Sequence, residues 1–403
     1  MGVIPNEYKG REQALLKHTI LKTYIQRLFM IIGNSGEEVI NYVDCLAGPW
    51  EENHDDLRDT SIGISIDQLK KCANTLSKNH NKNIKFRALY IEKDKTAFKK
   101  LETYLAIHTT NDIELSCING DYTDHIDDIV RWTNNYFTFF FIDPKGWKRI
   151  VGPTTLKPLL ELPKSEFLIN LMYDFANRAL SIEKHEGDIE ELVGEKIDLD
   201  GTESPEKRQS IFLNAYRKNI KAFIGHSNNQ HPRSSFVPIF RPGTDKLLYF
   251  LLYFLLYFLL YFLVYFTRHP KGIDVFKTES EKIDYLQRVT KQEIKLRNKE
   301  QNNQTMDLFG VDADIEKIEE NNNKFMARTI IEDELENGPR LFCIDYWADL
   351  LEKTDLYPTD FQLGIKEMLK EKKIENLDAD TSKRRSKYIK PDRKYKSERW
   401  QLI

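Results

Sequence analysis

Four carboxylates stand where apolar runs stop. Asp44 closes the run in YVDCLAGPW (42–50), Glu92 that in LYIEKD (89–94), Asp121 follows INGDY's Gly120 (118–122), and Asp143 ends FFFIDPKGW (139–147). In an open parallel α/β sheet, ligands bind outside the carboxyl ends of the strands. Four successive strands ending in Asp, Glu, Asp and Asp therefore describe one crevice. An acid after the second strand accepts from both hydroxyls of a ribose, so Glu92 is the ribose candidate. Asp121 is placed to accept from an adenine amino group. Ala47 and Gly48 sit in the turn after the first strand, where a residue without Cβ lets backbone approach a ligand. This order and chemistry suit an adenosine-containing cofactor, and S-adenosylmethionine better than NAD. Each residue also has a plainer reading: Gly48 as a turn, Glu92 as a solvated residue before a helix, Asp121 as a helix N-cap.

Asp143-Pro144-Lys145-Gly146-Trp147 follows the most hydrophobic run. An acid-Pro-Pro-aromatic signature at this point serves amino-group methyl transfer, the acid and a backbone carbonyl accepting from the amine and the aromatic stacking on a base. Here Lys145 replaces the second Pro and Gly146 intervenes before Trp147; core packing is the other reading of Trp147. Lys17-His18 is a further polar pair, at the start of an amphipathic run. His18 suits a base or phosphate contact, or a structural role. The nine histidines include no i, i+4 pair, and Cys45, Cys72, Cys117 and Cys343 form no CxxC, so no metal is implied.

The elements that must hold these residues are legible as alternating patterns. Residues 12–32 form an amphipathic helix. Strands are expected at 39–46, 86–91, 113–118, 136–142 and 166–172, with helices at 62–76, 95–106 and 126–133 between them. This βαβα alternation means a Rossmann-like parallel sheet with helices on both faces. Residues 174–230 are charged and helical, as in a cap or insertion. Residues 235–241 and 247–268 read as an antiparallel pair, the terminal hairpin that separates methyltransferase-type sheets from NAD-type ones.

Residues 247–266 read LLYF four times and then LVYF, 20 residues without a charge. The length meets the criterion for a membrane span. A repeated tetrapeptide flanked by a turn-like PGTDK and a TRHPKG exit instead describes a strand enlarged by tandem duplication, with no membrane expected. With three units removed, DKLLYFLVYFTRHPKG is an ordinary strand. The membrane-anchored alternative rests on this tract alone.

Bulk properties narrow the partners. The 403 residues carry a net charge of −3, so the chain as a whole is not a polycation built for nucleic acid. Residues 381–399, however, hold nine Lys or Arg against two acids. Residues 1–290 are expected as the methyltransferase-like domain, 291–337 as a charged helical linker and 338–403 as a winged helix-turn-helix whose basic wing suits nucleic acid. Scattered cysteines and a polar start containing Pro5 point to a reducing cytoplasm.

Taken together, Leu16-Lys17-His18-Thr19-Ile20-Leu21, Tyr42-Val43-Asp44 with Ala47-Gly48-Pro49, Tyr90-Ile91-Glu92, Gly120-Asp121, Phe141-Ile142-Asp143-Pro144 with Gly146-Trp147, and Asn170-Leu171-Met172 with Arg178 resemble the three-Cys-motif partner proteins. The resemblance covers about residues 10–271, plus the winged-helix tail. It implies a class I methyltransferase fold and a partner protein that carries the three-Cys motif. The Leu-Lys-His start and the acid-Pro strand end are also similar to an rRNA adenine-N6 methyltransferase family. The chain departs from these patterns at Lys145 and at Pro49-Trp50. The expectation is an S-adenosylmethionine-dependent methyltransferase, acting on a nucleic-acid base with a partner protein. The alternative is a catalytically inactive scaffold of the same fold that binds a partner protein or nucleic acid.

Overall fold

The computed structural model describes residues 4–48, 57, 59–144, 149–180, 182–199, 201–225, 231–240, 259–301, 309–378, 389 and 397–403. The chain divides into two compact units, 1–268 with 282–297, and 269–281 with 298–403.

The first unit alternates α1 (Glu12–Asn34), β1 (Val39–Asp44), α2 (Ser61–His80), β2 (Lys85–Glu92), α3 (Lys95–His108), β3 (Ile113–Asn119), α4 (Ile126–Thr133), β4 (Phe137–Ile142), α5 (Pro153–Leu160) and β5 (Ser165–Leu171). Helices α6 (Tyr173–Ala179), α7 (Glu186–Val193) and α8 (Pro205–Phe223) precede β6 (Arg233–Phe240) and β7 (Leu259–Thr267). The strands form a seven-stranded sheet in the order β3-β2-β1-β4-β5-β7-β6. β1 to β5 pair in parallel, and β7 runs antiparallel to both β5 and β6. The fold is thus α/β with a mostly parallel sheet. β1 and β4 are buried over nearly their whole length, as strands covered on both faces must be.

Residues 174–230, expected as a cap or insertion, contain most of α6 together with α7 and α8. Ile189 and Leu192 of α7 and Phe212 and Tyr216 of α8 share one hydrophobic core with Phe140, Phe167 and Phe266 of the sheet. Tyr216 also donates to the Val151 carbonyl at 2.8 Å. These helices therefore form a layer on the sheet, because the apolar residues of α8 recur on one face.

A buried polar knot sets the register of β7. Glu166 on β5 accepts from Tyr24 on α1 (3.0 Å), Tyr265 (2.8 Å) and Thr267 (2.8 Å). Next along, Arg268 donates to the Leu160 carbonyl at 2.7 Å and to Ser165 Oγ at 3.1 Å. Burial holds the Glu166 carboxyl above its ordinary range. The part of the LLYF tract that is described, from Leu259, is strand; residues 247–258 lie outside the described residues. Among the described residues no helix is long and apolar enough to cross a membrane.

The long helix α9 (Pro270–Gln301) contributes residues to both units. Its Leu286 and Ile294 pack with Ile4, Tyr8 and Leu15, and Glu293 accepts from the Ile4 amide at 2.9 Å. This contact holds the segment before α1 in place.

The second unit contains α10 (Phe309–Leu335), β8 (Arg340–Cys343), α11 (Ile344–Lys353), α12 (Pro358–Lys370), β9 (Ile374–Asn376) and β10 (Ser397–Leu402). Its strands form an antiparallel sheet in the order β8-β10-β9. Trp347, Phe361, Ile365, Met368 and Trp400 are buried in its interior. Arg328 on α10 pairs with Glu367 (3.2 Å) and Glu371 (2.6 Å) on α12. The stretch expected as a linker, 291–337, thus holds all of α10 and the end of α9.

Candidate functional site at the carboxyl ends of the strands

β1 lies between β2 and β4, and the chain leaves it toward opposite neighbours on its two sides. The Cys45 amide donates to the Phe141 carbonyl at 3.0 Å, and the Ala47 amide to the Ile91 carbonyl at 2.9 Å. Gly48 follows with φ +79°, a left-handed conformation that a side chain would strain. On the far side of β2, the Gly120 amide and Asn119 Nδ2 both donate to the Glu92 carbonyl, at 3.0 and 2.8 Å. A Cβ on Gly120 would lie 2.3 Å from His125 Nε2, so a side chain there would displace the His125 ring. These bonds bring the ends of β1, β2, β3 and β4 to one edge.

Asp44 is fully buried at that edge. It accepts from Ser61 Oγ at 2.6 Å and from the Leu46 amide at 3.2 Å. Its pKa is pushed up to about 7, first by burial; Ser61 and Leu46 oppose this, while the charges of Asp143 and Glu92 add to it. Asp44 is therefore close enough to feel the carboxylates that end β2 and β4. Glu92 is 6% exposed and accepts from the Asp94 amide at 2.6 Å. Asp121 accepts from the Thr123 amide (3.2 Å) and hydroxyl (2.9 Å) and from Lys93 (3.1 Å). It caps the short turn Tyr122–His125, and these donors outweigh its burial and hold its carboxyl below the ordinary range.

Asp143 projects beyond β4, followed by the buried Pro144. Lys17 Nζ on α1 lies 2.6 Å from Asp143 Oδ2, and Asn170 Nδ2 on β5 lies 2.5 Å from Oδ1. Lys17 also sits 5.3 Å from the ring centre of Tyr261 on β7. The carboxylate fixes the orientation of the Asn170 amide, since only its nitrogen can donate. Asn170 Oδ1 is consequently turned elsewhere, buried and without a hydrogen-bond partner. His18 bonds to Tyr8 Oη through Nδ1 at 3.0 Å. Burial, with Lys17 beside it, lowers the His18 pKa to about 4, so the ring is neutral at physiological pH. Arg11 reaches Asp59 at 3.2 Å close by, and the second oxygen of Asp59 is buried without a partner.

The structure thus brings Lys17, Asp44, Glu92 and Asp143 together, with Ala47 and Gly48 in the β1 turn and Asp121 at the next strand end. Trp147, like Lys145, lies outside the described residues. Ser61 and Asp59 were not singled out by sequence. Both sit in a stretch that reads as loop entering a helix, where only the Thr60 cap gives a signal. Asn170 entered only through the resemblance and without a role; Tyr8 stands alone in its segment, and a lone aromatic residue does not announce a site. Groups of His, Cys, Asp or Glu able to hold a metal ion are absent among the described residues.

No family model matches this chain, and no curated protein does. Among solved structures, it is similar to the crystal structure of protein LPL1258 from Legionella pneumophila str. Philadelphia 1, of the family DUF519. The two are 11% identical, the match covers 68% of this chain and 92% of that one, and the TM-score is 0.38.

Proposed function

We propose that the first unit is a class I S-adenosylmethionine-dependent methyltransferase. The observation that carries this reading is the sheet itself. The strand order β3-β2-β1-β4-β5-β7-β6, with β7 antiparallel, supports a methyltransferase-type sheet, and its reversal at β1 and β4 coincides with Asp44, Glu92 and Asp143. Ligands bind at such a reversal in open α/β sheets.

The residues fit the cofactor chemically. Buried Glu92 suits a ribose diol, and Asp121 an adenine amino group. Asp44, crowded by like charges, suits a cationic group. The turn after β1 would let backbone approach at Gly48, which has no Cβ. S-adenosylmethionine, when bound, supplies the methyl electrophile; alignment and exclusion of water fall to the protein. Asp143, oriented by Lys17 and Asn170, would accept from the attacking group. Neutral His18 offers a base near Lys17. Trp147 is assigned the stacking role on sequence grounds.

The acceptor in this reading is a nucleic-acid base. The second unit is compatible with it: the succession α10, β8, α11, α12, β9, β10 with a three-stranded antiparallel sheet supports the winged-helix reading of this part of the chain. The basic residues of its wing, within 383–396, lie outside the described residues. Membership of the three-Cys-motif partner proteins, and with it a partner protein bearing that motif, belongs to the same proposal. So does a cytoplasmic setting, supported by four free cysteines.

One observation favours the second reading, an inactive scaffold that binds a partner protein or nucleic acid. Both oxygens of Asp143 are already engaged, by Lys17 and Asn170. Calorimetry with S-adenosylmethionine, followed by radiolabel transfer to total RNA, DNA and protein, separates the two. Binding without transfer favours the scaffold, and absence of binding overturns the methyltransferase reading.

A further inference from the structure

The carboxylate at the end of β4 already has an amine beside it. Lys17 Nζ lies 2.6 Å from Asp143 Oδ2, and both side chains are about one-fifth exposed. Asn170 on β5 holds the other oxygen at 2.5 Å, so Oδ2 is the oxygen that meets the amine. The Tyr261 ring on β7 stands 5.3 Å from Nζ, and its hydroxyl donates to the Gln13 carbonyl on α1 at 3.1 Å. That bond fixes the ring against the helix that carries Lys17. The charge of Asp143 reaches the buried carboxyl of Asp44 at the end of β1, so Nζ adjoins the edge assigned to the cofactor. A second amine at this edge, Lys93, is placed differently. It is largely exposed and pairs at 3.1 Å with Asp121, the residue assigned to the adenine rather than to the methyl group.

We infer that Lys17 is a methylation site within its own chain: with no external acceptor bound, Nζ takes the methyl group in cis. The inference rests on the methyltransferase reading and adds an acceptor to it, a lysine amine. An ammonium cannot attack, so Nζ first passes one proton to Asp143 Oδ2. Its freed electron pair then forms the N–C bond to the methyl carbon. The C–S bond of the sulfonium breaks, and its electron pair stays on sulfur as a neutral thioether. Lys17 ends as a methylammonium with its positive charge intact, and Asp143 returns its proton to solvent. An acceptor carried by the same chain avoids the entropy cost of bringing one in. The methylated ammonium keeps its attraction to the face of Tyr261. The full engagement of Asp143 is then itself explained, because the place for an amine is filled by one.

The test incubates the full chain with S-adenosylmethionine bearing a deuterated methyl group and reads its peptides by mass spectrometry. Lys17 should gain the label, and the labelled fraction at saturating cofactor should not change when the chain is diluted. Asp143→Asn, which can no longer take the proton, should slow labelling by about a hundredfold or more. A binding arm needs neither transfer nor that variant. Sinefungin carries an amino group where the sulfonium carries its methyl. Lys17→Met should bind it about tenfold more tightly than the parent, because the freed Asp143 can then meet that amine. S-adenosylhomocysteine has no group there and should bind both chains alike. The inference is overturned by label on another lysine, Lys93 or Lys145 included, with Lys17 unlabelled. It is equally overturned by labelling that grows with chain concentration, by labelling unaltered in Asp143→Asn, or by equal sinefungin affinity in Lys17→Met. Binding of S-adenosylhomocysteine with Lys17 unlabelled sinks this inference alone; absence of any cofactor binding sinks the methyltransferase reading and the inference with it.

Discussion

Lys17 Nζ and Asp143 Oδ2 lie 2.6 Å apart, joining the first helix to the end of β4 across 126 positions of sequence. The pair is about one-fifth exposed on each side, so solvent screens it only in part. With Asn170 on the other oxygen, the carboxylate has one orientation, toward the edge it shares with Asp44.

An Asp143→Ala variant should bind S-adenosylmethionine nearly as the parent does and lose transfer by about a hundredfold or more, the scale of a lost acid–base or orienting group. Calorimetry and radiolabel transfer on the same preparation check this. Weakened cofactor binding with turnover retained would instead place Asp143 on the cofactor.

For Glu92, replacement by Ala should weaken S-adenosylmethionine binding by about 1.5–3 kcal/mol, the range for a hydrogen bond to a charged group. Glu92 also accepts from the Asp94 amide, so Glu92→Gln, which can keep that bond, is the necessary companion. Unchanged affinity in both variants would remove Glu92 from the cofactor site.

Asp44 yields two pH trends of opposite sign. Its carboxyl titrates near 7 when folded against an ordinary 3.8, so the folded chain holds a proton that the unfolded chain releases. The stability from this group is complete below the unfolded value and is lost as pH rises through about 7. Cofactor affinity should move the other way, rising between pH 6 and 8 as Asp44 gains the charge that attracts a cation. Asp44→Asn should flatten both trends. Melting curves and calorimetry across that range measure them, and an unaltered affinity profile in the variant would show that Asp44 does not face the cationic group.

The basic run calls for neutralisation rather than truncation. Cutting after Asp378 would remove β10, the central strand of the three-stranded sheet. Replacing Lys383, Arg384, Arg385 and Lys387 by Ala should reduce RNA or DNA affinity and flatten its salt dependence, while S-adenosylmethionine binding persists. A full-length chain that binds neither RNA nor DNA at low salt would move the protein-partner role ahead.

Much of this arrangement is legible in the chain. β1, β2, β4 and β5 announce themselves because parallel strands covered on both faces are almost continuously apolar, and a carboxylate at the end of such a run is conspicuous. What stays hidden is contact across long separation. Lys17 reads as one more charge on an amphipathic helix until β4 is placed beside it. Glu166 reads as an interruption in an apolar strand, and its partners Tyr24 and Tyr265 are 142 and 99 positions away. Residues 247–266 satisfy a span rule by length alone, since that rule counts apolar residues and is blind to periodicity.

The knot at Glu166 has a consequence for heredity. A four-residue unit is an even number of residues, so gaining or losing one moves a strand by two full pleats and leaves every side chain on its own face. Within the LLYF units, one phase is chemically as good as the next. Only the far end breaks the degeneracy, where Tyr265 and Thr267 meet Glu166 and Arg268 meets Leu160 and Ser165. Replication slippage in this stretch of gene would then alter the chain ahead of Leu259 while the anchored terminus stayed in frame with β5. The tract behaves as a ruler clamped at one end, on which copies can be added or erased without disturbing what the clamp holds.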